Sequence, residues 1–541
     1  MGDKSKDRYN SILEIIDKRL IPDEEAKKAR GEVFTPLDLV RQMLYGIKKT
    51  AMEKEKKCVI WGFDEAKGFF DDDEDDRLGG IPLHVFRDSN STWLDPANGI
   101  GNFPVVAFYM LDYQLGKHAK QANLKGDSNK EKRRKHIVEK MLFMIELNKG
   151  NVNTSRKIFK MISPSTNSNI CCANTLAMTN DKLQTVFGVT QFDVVMGNPP
   201  FNESLEKNPK GHAQDTGLWE KFVQKSLNEF VKKTDGFLAF LHPARWRQPE
   251  HSLHKLMFSK HFLYLAIFNK KEGEKMFNAI TRFDFYILQN KNTHTTTFIK
   301  FDDNTVMNVS ITVDTPFIPN FGYNIWEKII SSKHEPLKVE GGGSQIKYTS
   351  SDRASNDKCN VSKPYLNVNT TSKTSRVPPG AKYTKTRKNS DSSSIYIDVV
   401  CSANKHPLAD KKKVIFSKNE VIYSFYDSGK YGLTSNAFCI LVDNNDDGLT
   451  IVKYLNSNLL KYLIASVKFG NYSTAKDIFK FIPSPLFIKS SYTHDKIYRH
   501  YMLTPSDIKQ VNGSYINEEE NINDKKDGGS RFQTTRKTKR T

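Results

Sequence analysis

The sequence lacks the usual marks of secreted, metal-bound and membrane proteins. Its six cysteines are scattered and form no CxxC pair, so neither a zinc site nor a disulfide framework is predicted. The first residues, MGDKSKDRYN, contain no apolar signal region. No run approaches the roughly 18 apolar residues of a membrane span. We therefore expect a soluble, intracellular protein, cytoplasmic or nuclear, without a metal site.

Acidic residues do not balance the basic ones. The net charge of +20 favours a polyanionic partner, although it also fits an ordinary protein from a lysine-rich proteome. Hydrophobic residues make up 38% of the chain and aromatic residues 11%, which is enough for folded domains. At 541 residues the chain is too long for one core, so two or more domains are expected.

The pattern of apolar residues divides the chain into four segments. Between about 91 and 300, short apolar runs alternate with helical stretches, which predicts a doubly wound α/β domain. Turn-rich sequence follows. The predicted segments are an N-terminal helical segment (1–30), the α/β domain (31–305), a mixed α+β domain (306–510) and a disordered basic tail (511–541). Residues 117–136 and the acidic run 71–76 are expected to be exposed insertions.

Polar and glycine residues follow several strand candidates at the edge where ligands of α/β sheets bind. In TWLDPANGIGNFP, Asp95 ends a strand, and Gly99 and Gly101 allow a tight turn before a helix that starts near Pro104. No Walker lysine follows, which excludes a P-loop. An ordinary strand–helix turn explains this loop equally well.

Two further strand ends carry candidate ligands of a nucleoside. Glu146, in FMIELN, could bind both hydroxyls of a ribose. Asn174, in ICCANTL, could accept from an adenine amine, although a role in the turn is the simpler interpretation. Upstream, in GEVFTPLDLV, Thr35 has the features of a helix N-cap, with Pro36 at the first helical position.

The stretch FDVVMGNPPFNES carries the most specific signal. Its two prolines remove two backbone donors and fix two φ angles, so a strand ends in a stiff loop with exposed carbonyls. Four residues of the pattern Asn, Asp or Ser, then Pro-Pro, then an aromatic residue should occur by chance in roughly one chain of this length in fifty. The alternative is a rigid loop without chemistry.

Together these motifs resemble the S-adenosylmethionine-dependent DNA methyltransferases that methylate amines. The likeness is to N6-adenine methylases of the NPPY/F type, similar to type IIG restriction-modification proteins, and it extends over about residues 30–290. The resemblance implies a Rossmann-like methyltransferase sheet followed by a C-terminal target-recognition domain. It also implies that the Asn198 side chain and the Pro199 carbonyl accept the N6 protons, with Pro200 stiffening the loop and Phe201 stacking on a flipped-out adenine.

The resemblance also implies a cofactor site and a partner. S-adenosylmethionine would be bound by Thr35, Asp95, Ala97, Gly99, Gly101, Glu146 and Asn174. Family loops often have small residues where Asn98 and Ile100 stand and an aspartate where Asn174 stands, so weaker cofactor binding is expected. Double-stranded DNA would be the partner. A cognate restriction endonuclease would be a separate chain, since no nuclease motif is assigned within this one.

The segment KYTKTRK is the candidate for DNA contacts in the second domain. Its side chains are suited to phosphates and a base edge; they are Lys382, Tyr383, Lys385, Arg387 and Lys388. A solvated lysine-rich loop is the alternative. For the whole protein three alternatives stay open: methylation of cytosine N4, methylation of RNA or protein glutamine, and a DNA-binding subunit without catalysis.

Overall fold

The computed structural model places the chain in two compact units, Met1–Phe317 and Ile318–Thr541, which are described separately. Described residues are 35–48, 63–64, 69–70, 77–201, 217–277, 281–292, 296–332, 334–341, 359–373, 384–388, 394–418, 423–470, 476–488 and 492–513. The predicted N-terminal segment, the acidic run and the tail beyond residue 513 lie outside them. Among the described residues, no helix is long and apolar enough to cross a membrane.

Nine strands of the first unit form one sheet. They are β1 (Trp93–Asp95), β2 (Leu142–Glu146), β3 (Asn169–Cys172), β4 (Val194–Gly197), β5 (Phe237–Pro243), β6 (His261–Phe268), β7 (Phe283–Gln289), β8 (Thr296–Lys300) and β9 (Val306–Ser310). Their order across the sheet is β9-β8-β6-β7-β5-β4-β1-β2-β3. Strands β1 to β5 are parallel to one another, and β7 is antiparallel to both β5 and β6. The predicted doubly wound α/β fold is confirmed.

The strand order reverses at β1, which pairs with β2 on one side and β4 on the other. Both β1 and β4 are completely buried, so they read as continuous apolar runs in the sequence. In open α/β sheets, ligands bind outside the carboxyl ends of the strands at such a reversal. Here Asp95, Glu146 and Gly197 end the three strands that meet there.

The described residues of the first unit also form α-helices, several of which pack apolar residues against the sheet. They are α1 (Leu37–Tyr45), α2 (Leu83–Arg87), α3 (Asn102–His118), α4 (Lys130–His136), α5 (Lys149–Ile162), α6 (Asn180–Phe187), α7 (Leu218–Lys225), α8 (His254–Phe258) and α9 (Lys270–Phe277). Short strand pairs join Ile47–Lys48 to Arg77–Leu78 and Phe63–Asp64 to Phe69–Phe70. A single hydrophobic cluster runs from α1 through α3 and α5 to the central strands.

The start of α1 differs from the prediction. The helix begins at Leu37, its N-cap is Pro36, and no side chain caps it. Thr35 therefore stands one position too early to be the N-cap. Its side chain is instead hydrogen-bonded to Asn198, and its backbone carbonyl accepts from Asn102. Similarly, α3 starts two residues before the predicted Pro104.

The charged stretch 117–136 was expected to be an exposed, flexible insertion; most of its residues are exposed, but the stretch is folded and partly anchored to the domain. Helix α4 occupies its second half, and Arg133 within it is only 4% exposed. Its Nε lies 2.7 Å from Asp112 Oδ1 on α3, and its Nη1 donates to the carbonyl of Leu124 at 3.0 Å. Paired and hydrogen-bonded in this way, the guanidinium can be buried, which charge counting alone does not reveal.

The described residues of the second unit form two four-stranded sheets and five α-helices. Its strands are β10 (Val339–Gly341), β11 (Tyr365–Lys373), β12 (Thr384–Lys388), β13 (Ser394–Ser402), β14 (Lys413–Ser417), β15 (Ser424–Asp427), β16 (Gly432–Leu433) and β17 (Ala437–Leu441), ordered β10-β17-β14-β15 and β12-β13-β11-β16. Its helices are α10 (Tyr323–Ser331), α11 (Asn445–Leu455), α12 (Asn458–Ser466), α13 (His494–His500) and α14 (Pro505–Asn512). The predicted mixed α+β character is confirmed. The first unit extends past the predicted boundary at 305, because β9 pairs with β8.

One disulfide joins Cys359 to Cys401 in the second unit, whereas no disulfide was expected. The two cysteines are 42 residues apart in the sequence, and they meet because Cys401 lies on β13 while Cys359 precedes the neighbouring β11. Both contact the hydrophobic cluster of these sheets. Sequence spacing carries no information about such a long-range approach.

Candidate active site

A cavity of about 580 Å³ opens at the carboxyl ends of β1, β2, β3 and β4. It brings together most of the predicted cofactor and catalytic residues: Thr35, Ala97, Gly99, Glu146, Asn174, Asn198, Pro199, Pro200 and Phe201. Two predicted residues do not line it. Asp95 is buried at the end of β1, and Gly101 is the left-handed N-cap of α3.

The NPPF loop begins directly after β4. The Asn198 side chain donates from Nδ2 to the Thr35 hydroxyl at 3.1 Å, which joins the loop to the segment before α1. This bond engages the amide nitrogen, so the amide oxygen is the acceptor that Asn198 would present to a substrate amine. The carbonyl of Phe201 accepts from the backbone of Leu218 at 3.1 Å, which ties the end of the loop to the start of α7.

Gly197 has a steric role before the loop. A Cβ atom at this position would lie 2.9 Å from Asp95 Oδ1, which is closer than real Cβ atoms approach an oxygen. The absence of a side chain therefore lets β1 and β4 end side by side with the Asp95 carboxylate between them.

Glu146 ends β2 with both carboxylate oxygens held by the backbone. Gly99 donates to Oε2 and Asn148 donates to Oε1, each at 2.7 Å. Each oxygen has further lone-pair capacity, so a fixed carboxylate of this kind can also accept from a ligand diol. The next side chain, Leu147, lines the cavity and is 70% exposed, which is unusual for a leucine.

Asp95 is a buried acid with an altered proton affinity. It is 1% exposed, and its Oδ1 accepts from the Ala97 backbone at 3.0 Å. Burial raises the pKa of its carboxyl well above the usual value; the Ala97 N–H opposes this effect and the charge of Glu146 adds to it. The folded protein therefore binds this proton more tightly than the unfolded chain does.

The raised pKa of Asp95 predicts how Asp95→Asn changes stability with pH. Because the folded state holds the proton, the wild-type protein should lose stability as the pH rises from about 4 through the raised pKa. Asparagine keeps Oδ1 for the Ala97 N–H and does not titrate. We expect the variant to be more stable than wild type at pH 7 and to lose this advantage near pH 4. Thermal unfolding across this pH range measures the difference, and a constant difference would contradict the assignment.

Asn174 has the turn role that was the simpler interpretation. Its Oδ1 accepts from the Leu176 backbone at 3.0 Å and caps a short 3₁₀ turn, Thr175–Ala177. The residue still lines the cavity. Its contact with an adenine stays a prediction, and the engaged oxygen makes the amide nitrogen the more available group.

The predicted DNA-contact segment is only partly described. Lys382 and Tyr383 lie outside the described residues. Lys385, Arg387 and Lys388 lie on β12, whose backbone pairs with β13, but the positions of their side chains are not among those described. Their role in DNA binding stays a prediction.

An aromatic stack supports the helix that borders the cavity. The Trp219 ring is stacked with those of His242 and His251, whose centroids are 4.3 and 5.7 Å away. Burial lowers the pKa of His242 to about 3, so this ring is neutral. Trp219 is next to Leu218, which lines the cavity together with Phe222. Sequence reasoning missed these residues, because apolar positions at helical spacing carry no sign that one face reaches a ligand.

A family comparison agrees with this geometry. Residues 112–277 match the model of the Eco57I restriction-modification methylase family. Over these residues the chain is similar to the methylase domain of that family. The match includes β2 to β6, α4 to α9 and the NPPF loop, and it covers under a third of the chain. A comparison with curated proteins gives no match.

Solved structures of restriction-modification enzymes are similar to the chain at low identity. The type IIL enzyme MmeI in complex with DNA shares 12% identity, covering 90% of this chain and 75% of that one, with a TM-score of 0.45. A nuclease-deletion mutant of the type ISP enzyme LlaGI shares 12% (89% and 48% covered, TM-score 0.47). A modification subunit of a putative type I enzyme from Vibrio vulnificus YJ016 shares 15% (65% and 63%, TM-score 0.34). At these scores the likenesses add nothing to the description of the methylase domain.

Proposed function

We propose that this protein is a site-specific DNA methyltransferase that acts on the N6 amine of adenine with S-adenosylmethionine as the donor. It would be the modification part of a restriction-modification system. The observation that carries the proposal is the NPPF loop, which lines the same cavity as Glu146 and is joined to Thr35 through Asn198. The family match of the methylase domain supports the same reaction class.

The cavity fits the proposed donor in size and chemistry. Its volume lies in the range of small-molecule sites. The Glu146 carboxylate suits the ribose hydroxyls, and the exposed Leu147 suits the flat face of an adenine. When bound, S-adenosylmethionine would supply an electrophilic methyl group on a sulfonium.

The residues of the NPPF loop would activate the acceptor amine. The lone pair of an adenine amine is delocalised into the ring, so the free base is a poor nucleophile. Asn198 Oδ1 and the Pro199 carbonyl would accept the two N6 protons and favour a pyramidal nitrogen, whose lone pair is then directed at the methyl group. Pro199 and Pro200 fix these acceptors in advance, so no reorganisation is needed during the reaction.

The target base has to leave the duplex to reach this loop. Phe201 is half-buried at the cavity and would stack on the flipped base, which offsets the lost pairing. Double-stranded DNA is therefore the proposed substrate, with Lys382, Tyr383, Lys385, Arg387 and Lys388 as proposed contacts. A cognate restriction endonuclease is proposed as a separate chain.

Product analysis tests the proposal. Purified protein is incubated with tritiated S-adenosylmethionine and genomic DNA, the nucleosides are resolved by mass spectrometry, and Asn198→Ala protein runs in parallel. We expect label in N6-methyladenine that the variant does not produce. Label in N4-methylcytosine would change the acceptor, and label in RNA or protein would change the substrate class. Cofactor binding without transfer to any of these would leave a DNA-binding subunit.

A further inference from the structure

We propose that the first unit has a second contact surface for duplex DNA, remote from the cavity. The surface lies where α3 ends, and it includes the loop after α3 and helix α4. Its exposed lysines, named here the basic face, are Lys120, Lys125, Lys132 and Lys135. The inference rests on the proposed function only in taking double-stranded DNA as the partner. It goes beyond that function by adding a place for phosphates that methyl transfer does not use.

The stretch 117–140 is far more basic than the chain as a whole. Nine of its 24 residues are Lys or Arg and three are Asp or Glu, whereas Lys and Arg make up 82 of all 541 residues. Within the described part of the chain, no ion pair joins a lysine of the basic face to a carboxylate. A lysine-rich average composition does not explain this concentration of unpaired charge, which favours a polyanionic partner.

Arg133 holds the segments of the basic face together. Its side chain donates to the carbonyls of Leu124 at 3.0 Å and Gly126 at 2.7 Å, and its ion pair with Asp112 joins α4 to α3. The Gly126 backbone in turn donates to the Gly116 carbonyl at 2.9 Å. A Cβ at Gly116 would lie 3.2 Å from the Arg133 guanidinium, so the end of α3 fits closely on this side chain. The loop is therefore held in place before a ligand binds, which lowers the entropy cost of binding.

The arrangement of the four lysines suits phosphates and not base edges. Lys132 and Lys135 lie three positions apart on α4, so their side chains share one side of the helix. Lys125 belongs to the loop that Arg133 holds, and Lys120 follows the C-cap of α3. A lysine ammonium is a flexible point charge, and phosphate contacts carry no sequence information. We therefore expect binding that does not depend on sequence.

The basic face and the cavity lie at opposite ends of α3. Asn102 begins this helix and lines the cavity, whereas His118 ends it after 17 residues. At 1.5 Å per residue the helix is about 25 Å long. Duplex DNA is stiff over about 150 base pairs, so wrapping one short target from one end of the helix to the other would cost free energy. The phosphates at the basic face therefore come from a second segment of DNA. Such a contact would help the enzyme move between segments during the search for a target.

The stoichiometry and salt dependence of DNA binding test the inference. The full chain is titrated with a short fluorescein-labelled duplex of arbitrary sequence, and the bound ratio is measured by sedimentation. We expect wild type to bind two duplexes per chain at low salt. The second site should lose affinity with salt at a logarithmic slope of up to roughly 3.6, because each phosphate contact contributes about 0.9. A variant that should bind one duplex is Lys120→Gln/Lys125→Gln/Lys132→Gln/Lys135→Gln.

The matched control makes the same change of charge at exposed lysines scattered over other elements of the first unit. It is Lys157→Gln/Lys233→Gln/Lys255→Gln/Lys275→Gln. This protein should still bind two duplexes, and both variants should keep methyl transfer at saturating DNA, since neither alters the cavity. One bound duplex in wild type, or an equal loss in both variants, would overturn the inference while transfer persists. A second site that prefers duplex RNA would also overturn it. Two bound DNA duplexes without methyl transfer would overturn the proposed function alone.

Discussion

The Asn198→Ala protein is expected to lose about 10²- to 10³-fold in kcat for methyl transfer while it binds S-adenosylmethionine within about threefold of wild type. The reason is that Asn198 lines the cavity at the start of the NPPF loop and that its amide nitrogen is engaged by Thr35. Its amide oxygen would contact the reacting amine and no part of the donor. Single-turnover kinetics with saturating DNA measures the chemical step, and calorimetry measures the cofactor affinity.

A Thr35→Val variant is the matched control for this prediction. Valine has a similar shape to threonine but cannot accept from Asn198 Nδ2, so the acceptor oxygen stays and loses only its fixed orientation. We expect a smaller loss in kcat, on the order of tenfold, as for one neutral hydrogen bond. If Asn198→Ala instead weakened cofactor binding as strongly as it lowered kcat, Asn198 would be a donor-binding residue and the proposed role would be wrong.

The central sheet was predictable because its signal is local. Each of the strands β1 to β7 is a short apolar run, and parallel strands buried on both faces read as continuous apolar sequence. The carboxyl ends of β1, β2, β3 and β4 meet at one edge, so residues following them could be assigned to one site before any coordinates were known. Glu146 and Asn198 fall within this reasoning.

What escaped prediction depends on contacts between distant segments. The orientation of Thr35 is set by Asn198, which lies 163 residues further along the chain. The burial of Arg133 depends on Asp112 and on a folded turn around Leu124. Asn98 was recognised only as a departure from family loops, because its fixed amide depends on Ser155 in α5. None of these partners follows from periodicity or from spacing.

Replacing Arg247 by methionine is expected to cost about 3–5 kcal/mol of unfolding free energy, because it removes one partner of a buried ion pair. Arg247 Nε lies 2.7 Å from Asp284 Oδ2, and both side chains are completely buried. Asp284 also accepts from Trp246 Nε1 at 2.8 Å. Urea unfolding followed by tryptophan fluorescence would measure the loss.

The pH dependence of this loss of unfolding free energy shows whether its cause is the unpaired Asp284 carboxylate or a packing defect. Burial raises the pKa of Asp284, and Arg247 is the main influence that opposes this rise. Without the arginine, the pKa of the carboxyl should rise further, so the destabilisation should shrink as the pH falls and Asp284 becomes neutral. An Arg247→Met/Asp284→Leu protein has no buried carboxylate left without its partner. It should therefore recover part of the stability and lose this pH dependence. A loss that stays constant with pH would mean that packing, and not the unpaired carboxylate, is the cause.

The Arg247–Asp284 ion pair also supports the aromatic stack near the cavity. Asp284 on β7 is the cross-strand neighbour of His242 on β5, and the His242 ring stacks on Trp219 in the helix that borders the cavity. Loss of the arginine should therefore reduce activity at neutral pH even where the protein remains folded.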